Sequence, residues 1–197
     1  MLTHIHTKKA QIMRAALQLV ADDGLAATTT ARIAQMAAVA EGTIYRYFDT
    51  KDELLIAIYR QIKRDVFDRV SDGYDPASRI AERFVHLWHQ TFLAYRSDRQ
   101  KLVFAQKFSE TELVRTEAGL AHKPMAKLLG ALQQDGFQLG QFKSLPMDLM
   151  TGFFYAPIIS ILRAEQNGPL CPDTQIKTAM EAAFDAWRIV PPINETQ

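Results

Sequence analysis

A chain of 197 residues, 48% hydrophobic and 23% charged, has ordinary globular composition and is long enough for one large or two small domains. Its formal net charge of +1 at pH 7 excludes an overall basic field, so any nucleic-acid site has to be local. The single cysteine, Cys171, excludes an internal disulfide, and MLTHIHTKKAQIMRAALQLV carries polar residues through its apolar run, unlike a signal peptide, so a cytoplasmic protein is expected.

Apolar residues recur at helical spacing almost throughout and no stretch alternates strictly, which predicts an all-α fold. No segment reaches the roughly 18 uninterrupted apolar residues of a membrane span. LMTGFFYAPIISIL reads as a buried helix, and no membrane partner is expected. The first helix, from Thr7 to Asp23, places Ile12, Ala15, Ala16, Leu19 and Val20 on one face and stops at Gly24, which can adopt a left-handed cap. Thr28, Thr29 and Thr30 supply N-cap hydroxyls for a short helix, ARIAQMA, with Ile33, Ala34 and Ala37 inward. A tight turn over 38–40 leads into EGTIYRYF, residues 41–48, and then a long helix, KDELLIAIYRQIKRDVFDRV, starts from Thr50 with Glu53 at capping-box spacing. SDGYDPAS, residues 71–78, is the clearest boundary, which divides the chain into domains 1–70 and 71–197. Beyond it, helices are predicted over 77–96, 98–108, 111–135 with a break near Gly119, 146–166 and 173–188, with DGFQLGQFKSLP and NGPLCPD as loops.

Two short helices joined by a tight turn, the second with polar residues on its outer face, form the helix-turn-helix arrangement that puts a helix into the major groove. Ile44 and Phe48, four apart, share the inward face, and Val39 is placed to staple onto Ile44. Glu41, Gly42, Thr43, Tyr45, Arg46 and Tyr47 are left outward. A threonine can bond a base edge or touch a thymine methyl, an arginine can pair with guanine or phosphate, and tyrosine hydroxyls reach phosphate oxygens. Gly42 permits close approach of the backbone, and Lys51 adds an ammonium in the first turn of the next helix, where N–H groups already favour a phosphate. The capping threonines Thr28, Thr29 and Thr30 serve likewise at the helix before. The competing view is a small amphipathic helix with tyrosines half-buried for packing.

TTTARIAQMAAVAEGTIYRYFDTKDELL resembles the N-terminal DNA-binding domain of the TetR family of bacterial transcriptional regulators, through Thr28, Thr29, Ile33, Ala34, Val39, Gly42, Thr43, Tyr45, Tyr47, Phe48, Lys51 and Leu54. The resemblance covers the front domain and implies a three-helix helix-turn-helix unit followed by a helical ligand-binding and dimerisation domain. By position it implies phosphate contacts from Thr28, Thr29, Tyr47 and Lys51, and a base-facing side made of Glu41, Thr43, Tyr45 and Arg46. The chain departs from the family pattern at Ala38, where the turn usually has glycine, at Ala40, where a serine cap is frequent, and at Ala31, where many members carry an arginine that Arg32 next door would replace. An alanine held left-handed at 38 would cost about 1 kcal/mol.

In the back half, Ile80, Phe84, Leu87, Trp88, Thr91, Phe92 and Tyr95 repeat at three and four residues, followed by Phe104 and Phe108. Each taken singly reads as core. As a set, with polar tips from Trp88, Thr91 and Tyr95 and with Met125 and Leu129 beside them, they suit a mostly apolar small-molecule cavity. The family resemblance implies an inducer there, largely apolar and of unknown identity. Met150, Phe153, Phe154, Pro157, Ile158, Ile161 and Leu162 make a stripe too wide for one buried face, and Met180, Phe184 and Trp187 form another, which calls for a partner in a two-fold four-helix bundle. Pro157 should kink its helix. The resemblance implies that these helices form a homodimer interface.

Enzyme chemistry would have to come from Glu82, His86 and His89 on one helix, but a bundle metal site needs matching sets from several helices and His122 is isolated. Glu110 and Glu112 are splayed at a spacing of two, Cys171 has no resolving cysteine, and no phosphate-cradling glycine loop is present. No catalytic residue, metal or cofactor is assigned. The expected function is a ligand-responsive regulator, a repressor that binds a palindromic double-stranded operator as a homodimer and is released by a small molecule. A transcriptional activator, or a helical protein-interaction module without ligand control, is the alternative.

Overall fold

Hydroxyl caps set the helix starts in the front half. The computed structural model describes residues 7–115, 123–166 and 168–189. Helix α1 (Lys8–Asp23) begins where the Thr7 hydroxyl accepts from the Ala10 N–H at 3.3 Å, and Ile12, Ala15, Ala16, Leu19 and Val20 are its buried face. Gly24 ends it with φ 89° and ψ 169°, which is not the left-handed helical cap expected but the extended positive-φ region open essentially to glycine alone. Helix α2 (Thr30–Met36) is capped by Thr29, whose hydroxyl accepts from Arg32 N–H, and buries Ile33 and Ala34. Helix α3 (Glu41–Tyr45) is shorter than the predicted 41–48, because Tyr47 N–H bonds back to Ile44 O and tightens the chain into a turn. Its cap, Ala40, makes no side-chain bond. Helix α4 (Lys51–Ser71) starts with Glu53 N–H on the Thr50 hydroxyl at 3.1 Å, while the Glu53 carboxylate accepts from Asp49 N–H at 2.8 Å.

In the α2–α3 turn Ala38 has φ 52°, a conformation that charges a side chain for what glycine does freely. Replacing Ala38 by glycine is therefore expected to stabilise the protein by ~0.5–1 kcal/mol, some of the gain being offset by a looser unfolded chain. A denaturant midpoint that falls in Ala38→Gly would contradict this.

Helices α5 (Ile80–Arg96), α6 (Arg99–Ser109), α7 (Lys123–Gln138), α8 (Met147–Ala164) and α9 (Asp173–Trp187) complete the helices, with a 3₁₀ turn over Glu112–Arg115. The predicted helix 111–135 is thus replaced by that turn and α7, and the break expected near Gly119 lies outside the described residues. Among the described residues there is no strand, only an isolated bridge between Phe142 and Arg188, and no helix long and apolar enough to cross a membrane.

The chain packs as two compact units, Met1–Val66 with Ser97–Lys123, and Phe67–Arg96 with Pro124–Gln197. These differ from the contiguous division at residue 70, and α6 explains why. Lys107 donates to Val20 O and Ala21 O, both at 3.0 Å, satisfying carbonyls at the α1 C-terminus that the helix itself leaves open. Lys101 pairs with Asp65 of α4 at 2.7 Å, and Phe108 stacks on Tyr59 with centroids 4.8 Å apart.

In the second unit an aromatic cluster joins three helices: Phe84 lies 5.6 Å from Phe154, 5.0 Å from Phe184 and 5.4 Å from Trp187. Helix α8 runs through Pro157, whose missing N–H leaves the Phe153 carbonyl without its helical donor, and the next carbonyl, Phe154 O, receives Trp88 Nε1–H at 3.0 Å. Trp187 Nε1–H donates to Met150 O at 2.8 Å. Arg96 pairs at 2.8 Å with Glu165, whose carboxylate also accepts from Cys171 N–H at 2.9 Å. The segment after α7 folds back: Gln141 and Phe142 N–H both bond Gly136 O, and the Phe142 ring covers the place where a Gly136 Cβ would stand.

Candidate functional site

The inner and outer faces of α3 divide as amphipathic spacing requires. Ile44 and Phe48 are buried, while Glu41, Gly42, Tyr45, Arg46 and Tyr47 are exposed and Thr43 is half-buried. Tyr45 is 49% and Tyr47 42% exposed, so the chain's own packing covers only part of either ring. Nothing lies within 4 Å of a Cβ built on Gly42, so the protein's own packing does not demand glycine there and the space is left to something outside.

The threonines expected to act alike take three different roles. Thr28 is fully buried and donates to Gly24 O at 2.7 Å, so its hydroxyl closes the α1–α2 loop rather than facing a phosphate. Thr29 is exposed and caps α2. Thr30 donates to the Glu41 carboxylate at 2.5 Å and receives a long contact from Tyr45 OH at 3.5 Å, which ties the start of α2 to α3. Arg32, expected to stand in for the arginine missing at Ala31, has its guanidinium held by Asp23 at 2.5 Å and by Ala27 O at 2.9 Å. Lys51 is half-buried and uses one of its three donors on Thr28 O at 3.1 Å, which fixes the ammonium beside the loop before α2. A further cation, Lys9, sits 5.2 Å over the Phe48 ring, and the KK pair just inside the first cap was the sequence signal for it. The face therefore combines aromatic hydroxyls, Arg46 and a fixed lysine with one carboxylate.

Residues 12–58 match the family model described as bacterial regulatory proteins, tetR family, and residues 59–190 match the tetracyclin repressor-like C-terminal domain. The chain belongs to the tetR family of bacterial regulatory proteins. It is 26% identical over 139 residues to the fatty acid metabolism regulator protein of Bacillus subtilis, covering 69% of this chain and 71% of that one. To the HTH-type transcriptional repressor KstR2 of Mycobacterium tuberculosis it is 25% identical over 178 residues, covering 84% and 86%. A TetR family transcription regulator of Marinobacter aquaeolei VT8 superposes with a TM-score of 0.82 at 26% identity, covering 93% of this chain and 96% of that one.

This tetR-family regulator is thus a ligand-responsive, DNA-binding transcription regulator. The residues expected to line its effector cavity are all buried, but they fall in both units. Phe84, Leu87, Trp88, Thr91, Phe92, Tyr95, Met125 and Leu129 belong to the second, whereas Phe104 and Phe108 belong to the first, stacked on one another at 5.8 Å. The polar tips are engaged: Trp88 on Phe154 O, and Thr91 on Leu87 O at 2.7 Å within its own helix. Burial raises the Tyr95 phenol above its ordinary value, so it is a neutral hydroxyl at working pH. A cleft of about 680 Å³ opens elsewhere in the second unit, against Ser78, Arg79, Arg83, Asp135, Gln138 and Leu139, and none of the expected cavity residues lines it. Arg83, almost wholly buried there, pairs with Asp135 at 2.7 Å and donates to Tyr74 OH at 3.0 Å.

Of the residues expected at a dimer interface, Met150, Phe154, Ile158 and Trp187 are buried in the unit's own core; Pro157, Ile161, Met180 and Phe184 are half-buried, and Phe153 is exposed. The outer face of α8 is instead Leu149, Gly152, Phe153, Ala156 and Ser160. Apolar residues on both sides of α8 hid this division from periodicity. On α5, Glu82 is bound by Arg79, and His86 donates from its ring to Val70 O at 2.9 Å, so two of the three residues weighed for catalysis have structural partners, while His89 is exposed.

Proposed function

We propose that this tetR-family chain acts in the cytoplasm as a homodimeric repressor that sets two copies of α3 into successive major grooves of a palindromic operator, spaced about 34–36 Å or a related distance. The observation that carries the reading is the split of α3, apolar residues inward and Tyr45, Arg46 and Tyr47 outward. Thr29, Tyr47 and Lys51 meet phosphates, and Thr43, Tyr45 and Arg46 approach bases. Dimerisation uses the outer face of α8, where Leu149 and Phe153 stand exposed beside Gly152 and Ala156 and two helices can approach closely. The segment 71–197 carries this interface and the effector site, 1–70 the operator contacts.

The effector enters between α5, α7 and α8 of the second unit, against Trp88, Thr91, Tyr95 and Leu129. One relative is a fatty acid metabolism regulator protein, and long-chain fatty acids and their thioesters are the first compounds to try against this apolar lining. A coupling of 1–3 kcal/mol between effector and operator would lower occupancy several-fold.

Operator binding should weaken steeply as salt rises, through counterion release. Tyr47→Phe should cost about 1 kcal/mol per half-site with little change in that slope, and Lys51→Ala should reduce the slope by about one ion per half-site. Fluorescence anisotropy on labelled duplex reads both. A flat salt dependence would favour a protein-interaction module instead.

A further inference from the structure

We propose that Glu41 is a specificity-determining residue and that each operator half-site carries a cytosine at the base pair it faces, read through the N4 amino group. The inference rests on α3 entering the groove, as above.

Three exposed or half-buried polar side chains meet on that surface. Thr30 donates to Glu41 Oε1 at 2.5 Å, and Tyr45 OH lies 3.5 Å from the Thr30 oxygen. The bond spans from α2 to α3, so the carboxylate is aimed before DNA arrives and little side-chain freedom is lost on binding. Thr30 occupies one of about four acceptor sites on an ionised carboxylate that has no donor of its own. Such a group is repelled by every phosphate around it. The cation nearest Thr30 in sequence, Arg32, is turned onto Asp23 and Ala27 O, and Lys51 is anchored on Thr28 O.

A carboxylate in the major groove is therefore unfavourable unless it meets an amino group. Guanine offers only acceptors there and thymine an acceptor and a methyl, while adenine sets N7, another acceptor, beside its amino group. Cytosine presents N4–H₂ with no acceptor of its own next to it. The same charge thus rewards one base and penalises the others, discrimination by repulsion as much as by attraction.

The test is selection of bound sequences from a random duplex library by the full-length chain and by Glu41→Gln, Glu41→Ala and Thr30→Val, followed by affinities for duplexes differing at single base pairs. The expected result is a palindrome with one cytosine per half-site. Its preference over the other bases falls ~10-fold in Glu41→Ala and moves toward adenine in Glu41→Gln, whose amide matches adenine N6 and N7. Both substitutions should tighten binding to unrelated duplex, because a repelled charge is gone. Thr30→Val, which keeps the charge and loosens its aim, should give an intermediate preference. Identical base profiles for wild type and both Glu41 variants would overturn the inference while leaving operator binding intact, and an unchanged preference in Thr30→Val would overturn the positioning role. Failure of the wild type to enrich any palindrome would instead sink the operator reading on which the inference stands.

Discussion

Gly136→Ala is expected to lower stability by about 3–5 kcal/mol, the range for displacing a large buried ring, although alanine is the better helix former. A Cβ at 136 would lie 2.2 Å from Cδ2 and 2.6 Å from Cε2 of Phe142, well inside contact distance. The ring has no room to retreat. It is almost wholly buried, with the edge of Trp187 at 5.4 Å and Phe184 at 6.0 Å, and its backbone is bonded to Gly136 O. Relief would have to tear the loop from α9, where Lys143 N–H bonds Trp187 O at 2.9 Å and Ile189 N–H bonds Gln141 O at 2.8 Å. For a chain of this size the melting temperature should fall by roughly 10 °C. In a Phe142→Ala background the same change should become neutral or mildly stabilising, because only helix propensity remains, a non-additivity measurable as a double-mutant cycle. Equal losses in both backgrounds would show that the ring is not the obstacle.

Phe153→Asp is expected to leave the folded chain intact and abolish the proposed dimer. The side chain is 38% exposed in the single chain, so little core is lost on replacement. Across a two-fold axis, however, the substitution sets two carboxylates against each other in an apolar interface, where neither is compensated. Operator affinity should then drop about 100-fold or more, since the second half-site is no longer delivered at high effective concentration. Sedimentation would give the mass and anisotropy the affinity. Val85→Asp, at a 41% exposed position on α5, should alter neither. A Phe153→Asp chain that still sedimented as a dimer would remove α8 from the interface.

The front of the molecule was legible because its determinants are local. Thr7, Thr29 and Thr50 cap the helices that follow them, Ile44 and Phe48 lie four residues apart, and the strain at Ala38 follows from the absence of glycine. Roles fixed by distant partners were not. Thr28 and Arg32 looked like two more donors for DNA, but Gly24 O takes the first, and Asp23 and Ala27 O take the second. The place of α6 depends on a lysine 86 residues from the carbonyl it caps, beyond any periodic signal. In α8 the pattern told that both faces are apolar; which one the chain itself covers was decided by Trp88, Phe84 and Trp187.

The docking of α6 onto α1 and α4 bears on how the protein is made. Synthesis delivers Val66 well before Ser109, and at about 5–20 residues per second the interval is several seconds. During it the helix-turn-helix segment is present without the helix that seats Lys107 on Val20 O and Phe108 on Tyr59. Its last piece is made only after 67–96 of the other unit, so the first unit is completed once part of the second has already been synthesised. A fragment cut at Val66 would preserve every residue named for operator contact and still lack part of the support beneath them.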